Sequence, residues 1–212
     1  MYVRTSRYRL TPEGLADLKT GIRDQMMGPI AASPGNRLFA VMTSPDDEQN
    51  GLFVSAWDSR EDCDRFESEV RPALYDRWKG GFDGPFEVNY WETKWPGTLQ
   101  INETSLARTS NMYVRTSRFK LHEGAVETVA GHYREEVMAP LVAAPGNRFV
   151  CVLLSTEEER VGSQVTGWDS KEDWERFERE VYPNNIKNFW HLFEVKPTAT
   201  FWNLTFPGRV RY

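Results

Sequence analysis

The sequence predicts an α+β protein made of two βαββαβ units, packed sheet to sheet as a barrel with the helices outside. Three observations carry this prediction. The chain repeats itself, each copy alternates strand-type with helix-type periodicity, and the second strand of each copy is apolar on both faces. Shifting the 212-residue chain by 111 positions aligns Met1–Gly97 with Met112–Gly208 without an insertion. Met1–Arg7 and Met112–Arg118 are identical, and Pro34-Gly35-Asn36-Arg37 and Trp57-Asp58-Ser59 recur as Pro145-Gly146-Asn147-Arg148 and Trp168-Asp169-Ser170. The expected domains are therefore 1–97 and 112–212, joined by the polar, aperiodic stretch TLQINETSLARTSN (98–111), a linker composition.

Within each copy the elements follow in order. Tyr2–Arg9 alternates aromatic and β-branched residues with polar ones, which predicts a strand. Leu15, Leu18, Ile22 and Met26, matched by Val126, Val129, Tyr133 and Val137, have helical spacing. Pro34-Gly35 and Pro145-Gly146 end that helix. Leu38–Met42 and Phe149–Leu154 are unbroken apolar runs, as in strands buried on both faces. Two helices of one unit cover one face of its sheet, so the other face needs a second sheet, and the duplication supplies it. A homodimer built from both halves is the alternative arrangement. Leu52–Trp57 and Val165–Trp168 form the third strand. A second helix opens at Ser59, with Asp62 at capping-box spacing, and buries Cys63, Phe66 and Val70, or Trp174, Phe177 and Val181. Phe86–Trp91 and Thr198–Asn203 complete the units.

Composition limits function. The chain is 40% hydrophobic and 27% charged with a formal net charge of −5, which disfavours nucleic acid as a partner. No apolar run approaches membrane-spanning length, and the N-terminus lacks the apolar core of a secretory signal. Cys63 and Cys151 occupy unmatched positions, as unpaired thiols of a reducing compartment do, so a cytoplasmic location is expected. The acidic turns at Asp46–Glu48 and Glu157–Glu159 have no histidine or cysteine nearby, so no metal site is expected.

Ser33-Pro34-Gly35, Ala144-Pro145-Gly146, WDSRED (57–62) and WDSKED (168–173), set on two βαββαβ units, resemble the antibiotic biosynthesis monooxygenase family of dimeric α/β barrels. That resemblance implies a ferredoxin-like fold and a pocket between sheet and helices, lined by the third-strand tryptophan, here Trp57 and Trp168. It also implies cofactor-independent oxygenation of phenols, quinols or polyketide-like aromatics, with molecular oxygen as co-substrate. Haem-degrading relatives pair the tryptophan with an asparagine near the end of the first strand and a histidine on the second helix. Tyr8 and Phe119 stand at the asparagine position, and the second helices contain no histidine. Haem is therefore the disfavoured cofactor, and His191 its sole substitute ligand.

The copies differ most in chemistry between ALYDRWKGGF (73–82) and NNIKNFWHLF (184–193). His191 with Asn188 could take a phenolic proton and stabilise the anion, beside Trp168 and Arg115. This makes the second unit the expected active one. Trp57, Arg4, Tyr8, Phe119 and Trp190 are the expected substrate contacts, with Arg4 and Arg115 offering guanidinium groups to a carboxylate or phenolate. Each of these residues has a bland alternative: a core tryptophan, a surface ion pair, or a solvated loop. Three functions follow in order of preference: a cofactor-independent monooxygenase, a non-catalytic ligand-binding or stress-associated barrel, and a haem oxygenase.

Overall fold

A computed structural model describes residues 1–18, 23–101, 112–182 and 187–207. The helical position Ile22, Asn184, Asn185 and the linker stretch 102–111 lie outside the described residues. The elements run β1 (Tyr2–Arg9), α1 (Pro12–Asp17), α2 (Arg23–Ala32), β2 (Asn36–Thr43), β3 (Asn50–Trp57), α3 (Arg60–Glu69), α4 (Arg71–Trp78) and β4 (Glu87–Ile101). They continue as β5 (Tyr113–Leu121), α5 (Val126–His132), α6 (Met138–Ala143), β6 (Asn147–Ser155), β7 (Val161–Trp168), α7 (Lys171–Glu180) and β8 (Phe193–Pro207). The strands hydrogen-bond in the order β1-β3-β2-β8-β5-β7-β6-β4, a closed barrel. The chain divides into two compact units, Met1–Tyr90 with Trp202–Tyr212, and Trp91–Phe201.

In unit 1, β3 is the central strand and pairs antiparallel with β1 (Tyr2 opposite Trp57, Tyr8 opposite Gly51) and with β2 (Ala40 opposite Val54). The far edge of β2 pairs with the end of β8, Thr43 opposite Asn203 and Ala40 opposite Pro207. Thr11 caps α1 by accepting from the Gly14 N–H at 3.0 Å, with Pro12 at the start, where its missing N–H costs nothing. The chain turns from α2 into β2 at Gly35, whose φ of +73° suits glycine, and a Cβ there would lie 2.3 Å from the Asp62 carboxylate. Ser59 caps α3, accepting from the Asp62 N–H at 3.1 Å, and the Asp58 N–H donates to the Gly35 carbonyl. The two motifs that stand out in the sequence are thus one joint, tying the β2 turn to the start of α3.

Unit 2 repeats this construction. Its β7 lies between β5 and β6, Tyr113 and Asn147 both opposite Trp168, and β6 also pairs with β4, Trp91 opposite Ser155. Gly146 has φ +84° over Asp173, and Ser170 caps α7. One wide turn, Tyr133–Val137, separates α5 from α6, where Pro140 offers no N–H to the helix ladder.

Three elements extend beyond the expected bounds. β7 begins at Val161, not Val165, because Ser163 and Gln164 are buried polar strand residues that broke the apolar pattern. β4 and β8 each reach 15 residues. Pro96 lies where β4 shifts register between Trp95 and Gln100, and such a bulge tolerates a residue without an N–H. The last residues of β4 therefore extend into the stretch read as linker. α4, absent from the sequence reading, starts at Arg71 with Pro72 in its first turn and runs into ALYDRWKGGF as far as Trp78.

Candidate functional site

Alternation along β1 puts Arg4, Ser6 and Tyr8 on one buried face. The Arg4 guanidinium donates to the Ser6 hydroxyl through Nη1. Its Nε lies 2.8 Å from Glu67 Oε1, in an ion pair whose side chains are only 7% and 18% exposed. Neither atom of that contact makes an aligned hydrogen bond, so the pair is held by charge. The second oxygen of Glu67 faces Arg71 Nη1 at 3.5 Å, one turn further along at the start of α4. Two cations thus share one anion.

Beside this triad lies a cavity of about 50 Å³, room for a few waters at the scale of ~10–15 Å³ each. Its floor includes Ser6 and Ser55 from the sheet, its walls Phe39, Phe53 and Phe66, and α4 contributes Arg71, Leu74, Tyr75 and Trp78. Phe82 and Phe86 complete the aromatic wall, edge to face with their rings 4.7 Å apart. Tyr75 is 39% exposed, so the side formed by α4 reaches solvent. The indole N–H of Trp78 is buried without a hydrogen-bond acceptor among the described residues. Burial, with Glu67 nearby adding to it, pushes up the Tyr90 phenol, which hydrogen-bonds to Arg4.

The equivalent positions in unit 2 are packed differently. Arg115 is 3% exposed and donates to Gln164 Oε1 at 3.3 Å. Its guanidinium lies 4.6 Å from the centroid of Trp174, where unit 1 has Cys63, and 5.7 Å from Tyr182, where unit 1 has Arg71. Gln164, in the place of Phe53, donates to the Tyr133 hydroxyl at 2.5 Å, and burial pushes that phenol far up. One arginine is balanced by a carboxylate in unit 1 and by aromatic faces in unit 2.

The third-strand tryptophans are both fully buried. Trp57 donates to Ser55 Oγ at 3.0 Å and packs on Phe66 at 4.9 Å, one layer behind residues that line the cavity. Trp168 donates to Thr166 Oγ1 at 2.9 Å and meets Trp174 at 5.6 Å, which joins it to the Arg115 cluster. Tyr8 stacks on Phe53 at 4.2 Å and donates to the Met42 carbonyl at 3.2 Å, so burial raises its phenol. Phe119 is buried edge-on to Phe193 at 5.4 Å. Asn188, Trp190 and His191 are exposed on a 3₁₀ segment, Lys187–Leu192, with the Lys196 ammonium 4.8 Å over Trp190. The structure therefore gathers Arg4 with the cavity and Arg115 with Trp168, and leaves His191 and Asn188 on the surface.

Glu67, Arg71, Tyr75 and Trp78 escaped the sequence reading. The usable signals were the i,i+4 spacings of Glu67 with Arg71 and of Leu74 with Trp78. Among the described residues no group of three histidine, cysteine or acidic side chains could hold a metal, and no helix is long and apolar enough to cross a membrane.

Residues 1–70 match the profile of the antibiotic biosynthesis monooxygenase family. Among solved structures, a candidate monooxygenase from Fusobacterium nucleatum subsp. nucleatum is 6% identical, covering 98% of this chain and 94% of that one with a TM-score of 0.79. An anthrone oxidase-like protein is 14% identical, covering 100% and 94% with a TM-score of 0.66. A heme-degrading enzyme from Listeria monocytogenes is 7% identical, covering 96% and 99% with a TM-score of 0.58. Likeness at these identities is likeness of fold. No curated protein matches the sequence significantly. The chain is thus similar to the antibiotic biosynthesis monooxygenase family over residues 1–70, and as a whole it has the closed eight-stranded α+β barrel fold.

Proposed function

We propose that the chain is a cofactor-independent monooxygenase of hydrophobic aromatic molecules and that unit 1 is its working half. The observation behind this reading is the aromatic-walled cavity, most of whose lining lies within the stretch that matches the family profile. An electron-rich phenol or quinol reacts with oxygen once it is ionised and oriented. A methylene next to the ring becomes a carbonyl, one oxygen atom enters the product, and the other leaves as water. At about 50 Å³ the cavity admits a ring only if its solvent-reaching α4 side gives way; the protein's contribution is then to seat the ring against phenyl faces and stabilise negative charge with Arg4.

Oxygen uptake with a panel of hydroquinones and anthrones tests the reading. Turnover is expected, and Cys63→Trp, which copies Trp174 into unit 1, is expected to reduce it at least about tenfold (1.4 kcal/mol). Absence of turnover across the panel would sink it. A second reading, binding without catalysis, is favoured by a cavity lining that contains neither carboxylate nor imidazole. It predicts the same ligand affinities with no oxygen uptake. Haem chemistry would show as a Soret band on haemin titration that His191→Ala removes; no band is expected.

A further inference from the structure

We infer that α4 is a hinged door over the unit 1 cavity, clasped by Arg71 on Glu67, and that its outward swing makes the room an aromatic ring needs. The use of that room rests on the reading of the cavity as a ligand site, whereas the door follows from packing alone.

Volume supplies the first argument. A cavity that takes a benzene ring measures ~150 Å³, and this one about 50 Å³, so a wall has to move. The sheet residues Ser6, Phe39, Phe53 and Ser55 are fixed by the strand ladders, and Ile30 and Phe66 anchor α2 and α3 at 2% and 6% exposure. Alone among the described α-helices, α4 has no fully buried residue. It rests on unit 1 through one half-buried stripe, Arg71, Leu74 and Trp78, and each of these lines the cavity. Attachment supplies the second. The chain is fixed before α4, where the Val70 N–H donates to the Phe66 carbonyl at 3.1 Å, and again after it, where the Gly81 carbonyl accepts from the Thr11 N–H at 3.0 Å. Between those points the helix has no side-chain cap, its Leu74 N–H reaches the Val70 carbonyl over a long 3.4 Å, and Gly80 faces open space. Terminal residues of this kind absorb the backbone change of a hinge. The third argument is that the closed position is lightly held. Arg71 meets Glu67 at 3.5 Å with 34% of its side chain exposed. The buried Trp78 N–H has no acceptor among the described residues, a cost that water removes on opening. Unit 2 has Tyr182 for Arg71 and His191 for Gly80, and Phe189, in the place of Trp78, is 2% exposed and stacks on His132. Clasp and hinge are thus both particular to unit 1.

Thiol labelling of the full chain tests this. Ser55→Cys places a thiol on the cavity floor, where Ser55 is 4% exposed, and Ser6→Cys is a second such site should the first not fold. The reagent is dithiobis(nitrobenzoate), whose rings need the door open. In the native protein the introduced thiol is expected to react at a rate that levels off as reagent increases, while Cys63 and Cys151 stay unreacted. Adding Arg71→Gln should speed the reaction severalfold, and adding Gly80→Ala should slow it. Para-cresol, a single neutral ring, should also slow it by occupying the open cavity. A reaction that requires denaturant, that keeps pace with Cys63 and Cys151, or that neither added substitution moves would overturn the door. Labelling that para-cresol leaves unchanged would keep the door and remove the ligand reading.

Discussion

Glu67→Gln tests how the buried arginine of unit 1 is held, and Glu178→Gln is its internal control. The two glutamates occupy equivalent positions on α3 and α7. Glu67 is half-buried against Arg4 at 2.8 Å, whereas Glu178 is exposed and Arg115 rests on Trp174, Tyr182 and Gln164. Removing one partner of a buried pair costs ~3–5 kcal/mol. The 18% exposure of Glu67 puts the loss at the lower end, about 2–3 kcal/mol once water screening is allowed for. At ~2–4 °C per kcal/mol for a chain of this size, the melting point should fall by about 5–10 °C. Glu178→Gln should change stability by less than about 0.5 kcal/mol, as exposed substitutions do. Thermal melts by circular dichroism at low and high salt decide the matter. Equal losses for the two variants, or a Glu67→Gln protein that melts like wild type, would refute the assignment.

Gly35→Ala and Gly146→Ala should each cost about 1–3 kcal/mol, since both add strain at positive φ and place a Cβ 2.3–2.4 Å from the Asp62 or Asp173 carboxylate group. Gly28→Ala, within α2 and facing open space, should instead stabilise by ~0.5–1 kcal/mol in a urea titration. Gly51→Ala would push on the Tyr8 ring at 2.2 Å and should lower the melting point, an effect that Tyr8→Leu relieves if the clash is its cause. Burial raises the thiols of Cys63 and Cys151 from 9.0 to about 12, so both should resist a thiol reagent in the native state and react once unfolded. A raised pKa means stability that is fully present below the unfolded value of 9.0 and lost as pH climbs towards 12. The denaturant midpoint should therefore fall across that window, and less steeply in Cys151→Ala.

Much of the fold was legible because duplication prints each periodicity twice. Tyr2–Arg9, read as a strand from alternation, is β1, its repeat from Met112 falls in β5, and Ser59 caps a helix as its spacing from Asp62 implied, with Ser170 doing the same in the second copy. The site was less legible. Arg4 and Tyr8 are visible on a strand face, but nothing in the sequence brings Glu67, Arg71 and Trp78 to Arg4, because that meeting depends on how α3 and α4 lie on the sheet. α4 was obscured by the glycines after it and by a sparse apolar stripe. His191 attracted attention through chemistry alone, and an exposed 3₁₀ segment carries it.

The strand that closes the edge of β2 has a consequence for how the chain is made. Ala40–Thr43 pair with Asn203–Pro207, about 160 residues later, whereas unit 2 draws all its strands from the continuous stretch Trp91–Phe201. Long-range pairing is slow because loop closure precedes its reward. On the ribosome the first unit to be synthesised is therefore the last to close. Its cavity half waits with a bare strand edge until Asn203–Pro207 emerge, and chains stopped before Trp202 should hold unit 2 formed and unit 1 open.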